Sequence, residues 1–213
     1  MTTILIVPGL NGSGPEHWQS WFEQKLADCV RVEQEDWDDP YLPRWAGAVR
    51  RELDRATGPV WIVAHSFGCL AAVHAATDYR DRIAGAMLVA PADPDKFNVS
   101  AMLPDSYLGF PSVVVASTND PWVRLMKAGF LAEQWDSRLI NIGAKGHINT
   151  DAGFGPWIEG LEIFEELRRS HNGLPLGSLD GKQTFVPRPG GSRKRGNRTL
   201  RDAFNWTNWL REV

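Results

Sequence analysis

The chain has 213 residues, of which 43% are hydrophobic, 10% aromatic and 23% charged, so it can form an ordinary soluble core. Its net charge of -3 is unevenly divided, because residues 172–213 carry eight Lys or Arg against three Asp or Glu, and the rest carries fifteen against twenty-three. The acidic main body excludes a duplex-binding surface there, because phosphate contacts need clustered cations.

Strand and helix signals alternate along the chain. The first apolar run, 2–9, is ended by a Pro-Gly pair and is typical of a strand buried on both faces. Segment 11–29 has apolar residues at helical spacing, with Ser13 or Gly14 as the expected cap and Pro15 in the first turn. The remaining elements are strand 30–37, helix 44–57, strand 60–66, helix 67–79, strand 83–92, strand 111–118, helix 121–135, strand 137–143 and helix 155–170.

Continuous apolar strands that alternate with helices predict βαβ units around a parallel sheet. We therefore expect an α/β domain over 1–170 with a mostly parallel sheet of about six strands. Residues 171–213 are rich in Gly, Pro and Arg and have little periodicity, so they cannot bury enough apolar surface to offset their ordering entropy. We predict a disordered tail there, with a short amphipathic helix as an option over 199–213.

The stretch WIVAHSFG, residues 61–68, runs from a buried strand through a serine into a helix. A nucleophile elbow needs small residues two before and two after the nucleophile, because its strained turn crowds those positions. Ala64 and Gly68 occupy them around Ser66. The more common motif has Gly at both positions, so Ala64 is a mild departure. The alternative interpretation is a small-residue joint that lets a strand and a helix pack closely.

A serine nucleophile needs a base that is oriented by a third group. Asp120 follows the fifth predicted strand, and His147 lies in a Gly-rich loop after the sixth. Each alone is more typical of a turn or a helix cap. Because parallel strands bring their carboxyl ends to one edge, and the chain order is Ser, Asp, His, we predict an α/β-hydrolase triad. Ser66 is its nucleophile, His147 its base and Asp120 the orienting carboxylate.

Acyl chemistry also needs backbone N–H donors for the oxyanion of the tetrahedral intermediate. The amide of Phe67, directly after the serine and at a helix N-terminus, is one expected donor. The second is expected from the loop PGLNGSG after the first strand, with Leu10 as the choice and Asn11 as the alternative. The interpretation of this loop as a phosphate-binding loop is weak, because the loop lacks the Lys-Ser/Thr ending of a P-loop.

Four motifs carry a family resemblance: VPGLNGSGPEHWQSWFE, VAHSFGCLAA, STNDPW and GHIN. They resemble the small α/β-hydrolases of the retinoblastoma-binding protein 9 type, also called YdeN-like serine hydrolases, over residues 3–169. The resemblance implies a three-layer α/β-hydrolase-like sandwich without a large cap domain, the triad above and esterase-like activity. His17 matches one of these motifs, although a structural role at a helix start is the favoured interpretation. Trp122 and Trp157 are close in sequence to Asp120 and His147, and are expected either to line the pocket or to pack in the core.

These features predict a serine hydrolase that cleaves small ester or related acyl substrates through an acyl-enzyme on Ser66. The alternatives are an acyltransferase that uses the same intermediate and a binding module that retains the fold without catalysis. The expected chemistry needs no metal or organic cofactor, and the two cysteines have neither metal-ligand spacing nor a disulfide framework.

The remaining expectations concern location and partners. Because the sequence has neither a leader nor an apolar run of membrane-spanning length, we expect a cytoplasmic protein without a membrane partner. Nucleic acid is not an expected partner, although the basic run SRKRGNR in the tail leaves weak attraction open. The sequence does not indicate a protein partner.

Overall fold

The computed structural model describes residues 2–171 and 184–185 of the chain. Its strands form one sheet in the spatial order β2-β1-β3-β4-β5-β6-β7. The strands are β1 (Thr3–Val7), β2 (Cys29–Arg31), β3 (Val60–His65), β4 (Ile83–Val89), β5 (Ser112–Ala116), β6 (Arg138–Asn141) and β7 (Thr184–Phe185). The first six are parallel, and β7 pairs antiparallel with β6. The predicted mostly parallel sheet of about six strands is confirmed, and β7 is an additional edge strand that the sequence analysis did not predict.

Helices cover both faces of the sheet and produce a three-layer arrangement. They are α1 (Trp18–Lys25), α2 (Leu42–Arg55), α3 (Phe67–Ala76), α4 (Leu125–Gln134) and α5 (Ile158–His171). One core layer joins α2, α3 and α4 to the sheet, and the other joins α1 and α5 to the opposite face. Successive residues of β1 alternate between the layers, with Leu5 and Val7 in the first and Ile4 and Ile6 in the second. This alternation explains why the strand reads as an unbroken apolar run.

The topology determines where a ligand can lie. From β1 the chain moves outward to β2, and then returns to β3 on the other side of β1. A crevice therefore opens at the carboxyl ends of β1 and β3, which is the usual ligand position in an open α/β sheet. The loop after β1 and Ser66, which follows β3, both lie at this crevice.

Helix α1 begins later than predicted. Its N-cap is His17, whose Nδ1 accepts the amide of Gln19 at 3.1 Å. The expected cap at Ser13 or Gly14 is therefore wrong, and Pro15 precedes the helix. The Ser13 hydroxyl donates to the Gln19 side-chain oxygen at 2.7 Å.

Other boundaries differ from the predictions by a few residues, and the two largest differences have a physical reason. Strand β2 is shorter than 30–37 because it is an edge strand that pairs only with β1, and β1 ends at Val7. Helix α4 begins at Leu125 instead of 121, because the Asp120 carboxylate accepts the amide of Trp122 and forms a turn there.

The segment between β4 and β5 contains a 3-10 turn, Ser100–Met102, and no cap domain interrupts the described residues. The predicted helix over 199–213 lies outside the described residues, as does most of the predicted tail. Within the described part of the chain, no helix combines the length and the apolar character needed to cross a bilayer.

Candidate active site

Ser66 lies in a strained turn between β3 and α3. Its φ of 53° and ψ of -124° are a conformation that non-glycine residues rarely adopt. The neighbouring backbone approaches this turn very closely. A Cβ at Gly68 would lie 2.3 Å from the Pro8 carbonyl oxygen, and a Cβ at Gly9 would lie 2.7 Å from the Ser66 Cβ. Glycine at these two positions is therefore a steric requirement.

His147 lies between Ser66 and Asp120 and contacts both. Its Nε2 is 2.9 Å from the Ser66 Oγ, and its Nδ1 is 2.8 Å and 3.0 Å from the two Asp120 carboxylate oxygens. An ionised carboxylate can only accept, so Nδ1 carries the proton and the Nε2 lone pair faces the serine hydroxyl. These distances are within the range in which an imidazole can take a proton from a hydroxyl.

Burial and backbone contacts fix the orientation of Asp120. Its side chain is fully buried, and the imidazole of His147 is 9% exposed. The same carboxylate accepts the Trp122 amide at 2.8 Å and the Val123 amide at 3.4 Å. Several donors therefore hold the carboxylate beside the imidazole.

Backbone amides are available beside Ser66. Phe67 is the first residue of α3, so its N–H has no acceptor within the helix. The Asn11 amide donates to the Trp37 carbonyl at 3.1 Å, which removes Asn11 from the candidate donors. Within residues 2–171, the Leu10 amide donates to no backbone carbonyl. Leu10 and Phe67 thus remain the candidates for oxyanion donors.

His17 is close to this site but is separated from it by another histidine. Its ring centroid is 5.1 Å from that of His65, which is 4.9 Å from that of His147. Burial, followed by the charges of Arg31 and His147, lowers the pKa of His17 to about 4. The ring is therefore neutral near pH 7 and caps α1, as the structural interpretation predicts.

The two tryptophans that are candidate pocket residues differ in their exposure to solvent. Trp122 is 56% exposed, and its ring centroid is 6.3 Å from that of His147. Trp157 is 5% exposed and packs against Trp18, with ring centroids 5.2 Å apart. Trp122 thus borders the site, and Trp157 occupies the aromatic core.

Three residues that the sequence analysis did not single out hold the loops of the site. Ser117 Oγ accepts the Lys145 amide at 2.9 Å, and Asn119 Oδ1 accepts the Gly146 amide at 2.7 Å. Lys96 donates its ammonium to the Trp122 carbonyl at 2.6 Å. The motif STNDPW contains both Ser117 and Asn119, so its polar residues before the aspartate were the available signal.

Among the described residues, no group of three or more His, Cys, Asp or Glu side chains is arranged to hold a metal ion. A cleft of about 260 Å³ lies at the amino ends of the strands and is lined by residues such as Thr2, Asp28 and Arg55. It is at the opposite edge of the sheet from Ser66, and no histidine is among its lining residues.

The chain is similar to known proteins over most of its length. The model of the family described as serine hydrolase matches residues 4–166. YdeN of Bacillus subtilis (strain 168) is 26% identical over 167 residues, which cover 71% of this chain and 88% of that protein. The solved structure of a YdeN-like protein from Pectobacterium atrosepticum is 42% identical, with a TM-score of 0.77 over 82% of this chain and 94% of that one. The ydeN gene product of B. subtilis, at 20% identity, shares the fold with a TM-score of 0.67 over 79% of this chain and 99% of that one.

Proposed function

This chain belongs to the serine hydrolase family, with YdeN-like proteins as its relatives, and we propose that it hydrolyses small esters through an acyl-enzyme on Ser66. Related small acyl compounds would react by the same route. The observation that carries this proposal is the His147 imidazole, which lies 2.9 Å from the Ser66 Oγ and 2.8 Å from the Asp120 carboxylate.

In the first half of the proposed reaction, the Ser66 Oγ attacks the acyl carbonyl while His147 Nε2 takes the hydroxyl proton. The new C–O bond places a negative charge on the former carbonyl oxygen. Asp120 stabilises the imidazolium that forms and keeps its ring oriented. When the intermediate collapses, the bond to the leaving alkoxide breaks, and the alkoxide takes the proton from Nε2 and departs as the alcohol.

The amides of Leu10 and Phe67 are the proposed oxyanion donors. Phe67 is at the N-terminus of the ten-residue helix α3, where the helix dipole also favours negative charge. Such fixed donors stabilise charge that develops only in the transition state, and the loss of one typically lowers kcat by about 10²–10³.

In the second half, water attacks the acyl-enzyme and gives a proton to His147 Nε2. The second tetrahedral intermediate then breaks at the bond to the Ser66 Oγ, which recovers its proton from the imidazole. The carboxylic acid leaves, and the enzyme returns to its starting state. The chain's own residues hold or move every proton in this cycle.

An open site supports small acyl groups as substrates. The segment between β4 and β5, which borders the site through the contact of Lys96 with Trp122, contains a short 3-10 turn instead of a helical cap. Trp122 itself is half-exposed beside His147. A long acyl chain would therefore remain largely in water, where its burial contributes little to affinity.

A series of p-nitrophenyl esters from acetate through butyrate and octanoate to palmitate tests the proposal. We expect kcat/KM to be highest for acetate or butyrate and to fall about 10-fold or more by octanoate. Adding methanol or a primary amine to the same assay measures acyl transfer, because the acyl-enzyme would then partition to a new ester or amide. Preferential transfer at low nucleophile concentration would favour an acyltransferase, and a folded protein that releases no product from any ester would favour a binding module.

A further inference from the structure

The loop that carries His147, residues 143–149 (the base loop), has an unusual backbone. Ile148 has a φ of 52°, which is rare for a β-branched residue, and its side chain is fully buried. Gly146, on the other side of His147, has a φ of 56°. Such a conformation persists only where the surrounding structure determines it, and here it directs the imidazole toward Ser66.

Two buried side chains donate hydrogen bonds to consecutive carbonyls of this loop. His65 Nε2 lies 3.0 Å from the carbonyl oxygen of His147, and Trp18 Nε1 lies 2.9 Å from that of Ile148. A carbonyl oxygen can only accept, so His65 carries its proton on Nε2. His65 is 5% exposed and Trp18 is fully buried, so water cannot replace these donors without rearrangement.

His65 is suited to donate and unsuited to act as a base. Burial, followed by the charges of His147 and His17, holds the pKa of His65 well below its ordinary value of 6.5. The neutral ring keeps a single N–H, and that N–H is used by the carbonyl of His147. A positively charged ring at this position would instead lie 4.9 Å, centroid to centroid, from the imidazole that must become an imidazolium.

Acceptors hold the other side of the same loop. Ser117 Oγ and Asn119 Oδ1 accept the amides of Lys145 and Gly146, at 2.9 Å and 2.7 Å. These acceptors come from the segment after β5 that also carries Asp120. The base loop is therefore fixed to the Asp120 segment by its amides and to β3 and α1 by its carbonyls.

We infer that His65 and Trp18 are positioning residues, which hold the strained backbone at His147 and Ile148 so that one imidazole reaches both Ser66 and Asp120. This inference rests on the proposed function. It predicts that loss of either donor lowers kcat far more than it changes KM, because a misplacement of about 1 Å can lower the rate by about 10²-fold.

The test compares His65→Phe, which lacks a donor, with His65→Gln, whose amide nitrogen has a similar reach. We expect kcat to fall by about 10- to 100-fold in His65→Phe with KM within about 3-fold of wild type. His65→Gln is expected to recover kcat to within about 3-fold of wild type. Trp18→Phe should resemble His65→Phe, and Trp21→Phe, on the same helix but without this contact, serves as its control.

A second readout does not depend on turnover. The proton shared by His147 Nδ1 and Asp120 gives a strongly deshielded proton NMR signal when the imidazole is held against the carboxylate. We expect this signal in wild type and in His65→Gln, and its loss or exchange broadening in His65→Phe and Trp18→Phe.

The inference is overturned if folded His65→Phe keeps the wild-type kcat and the wild-type NMR signal. It is also overturned if His65→Gln and His65→Phe lower kcat equally while the NMR signal is unchanged in both. If His65→Phe does not fold, Trp18→Phe decides on the same criteria. A wild-type protein that hydrolyses no ester contradicts the proposed function, whereas the NMR signal in the variants still decides the role of His65 and Trp18.

Discussion

The elbow, residues 64–68, and the base loop place their reactive side chains by opposite means. At the elbow, Ser66 is presented because a neighbouring position has no side chain. A Cβ at Gly68 would lie 2.3 Å from the Pro8 carbonyl oxygen. At the base loop, His147 is presented because polar side chains are present, among them His65 and Asn119. The nucleophile thus depends on close backbone packing, and the base depends on hydrogen bonds from distant segments.

This contrast has a consequence for mutations. A side chain added at the elbow should disturb folding, because the clash is with backbone that cannot move independently. A hydrogen bond removed from the base loop should leave the fold intact and lower the rate, because the loop can still close in a slightly different position.

The largest effect is expected at Ser66 itself. Ser66→Ala should lower kcat for ester hydrolysis by about 10⁴-fold or more, because it removes the hydroxyl that is proposed to form the acyl-enzyme. Ser66→Gly should be equally inactive but more stable than Ser66→Ala by about 1 kcal/mol, since glycine accepts the positive φ of 53° without strain. Steady-state kinetics and urea denaturation measure the two effects. An alanine variant that retains a tenth of wild-type activity would show that Ser66 is not the nucleophile.

Gly68→Ala should give the largest loss of stability. The added Cβ would lie 2.3 Å from the Pro8 oxygen and 2.6 Å from the Val7 oxygen, so β1 and α3 would have to separate. We expect the free energy of unfolding to fall by about 3 kcal/mol, together with most of the activity. Gly14→Ala is the control, because nothing lies within 4 Å of its added Cβ. Equal stability of the two variants, measured by urea denaturation, would contradict the packing account of the elbow.

Acid should lower the free energy of unfolding through His17. Its folded-state pKa is about 4 against 6.5 for the ordinary side chain, so the unfolded chain binds the proton first as the pH falls. The associated loss of stability begins near pH 6.5 and is complete near pH 4, and it amounts to about 3 kcal/mol at most.

The matched variant is His17→Asn, which keeps an acceptor for the cap of α1 and removes the titrating ring. Urea denaturation at a series of pH values should show a smaller decrease in stability between pH 6.5 and 4 for this variant than for wild type. Parallel curves for the two proteins would mean that His17 is not held neutral by the fold.

The smallest effect is expected from a pair of serines at the two ends of β5. Ser117→Ala removes the acceptor of the Lys145 amide and should lower kcat by about 3- to 10-fold. Ser112→Ala removes a buried contact with Ser137 at the other end of the strand and should leave kcat unchanged. Both should lose about 1 kcal/mol of stability. An equal decrease of kcat in the two variants would remove the special role given to the base loop.

The same contrast explains what the sequence predicts. The elbow is recognisable because its requirements are local: a strand, a helix and small residues at fixed offsets from Ser66. The family resemblance drawn from four motifs is confirmed, as is the mostly parallel sheet, because unbroken apolar runs leave few other arrangements.

The support of the base loop could not be predicted in the same way. His65 and His147 are 82 positions apart, and Trp18 and Ile148 are 130 apart, so only the fold brings each donor to its carbonyl. The predicted start of α1 was wrong for a related reason. Ser13 is a good cap by residue type, but α1 begins at Trp18, and His17 caps the helix instead.

Reaction with a fluorophosphonate probe tests the central claim most directly, because the probe reports whether the His147 imidazole activates Ser66 independently of the natural substrate. The account predicts stoichiometric labelling that peptide mapping assigns to Ser66. Labelling should be absent in Ser66→Ala and slower by about 100-fold or more in His147→Ala. A folded wild-type protein that does not react, or that reacts equally fast without the imidazole, would contradict it.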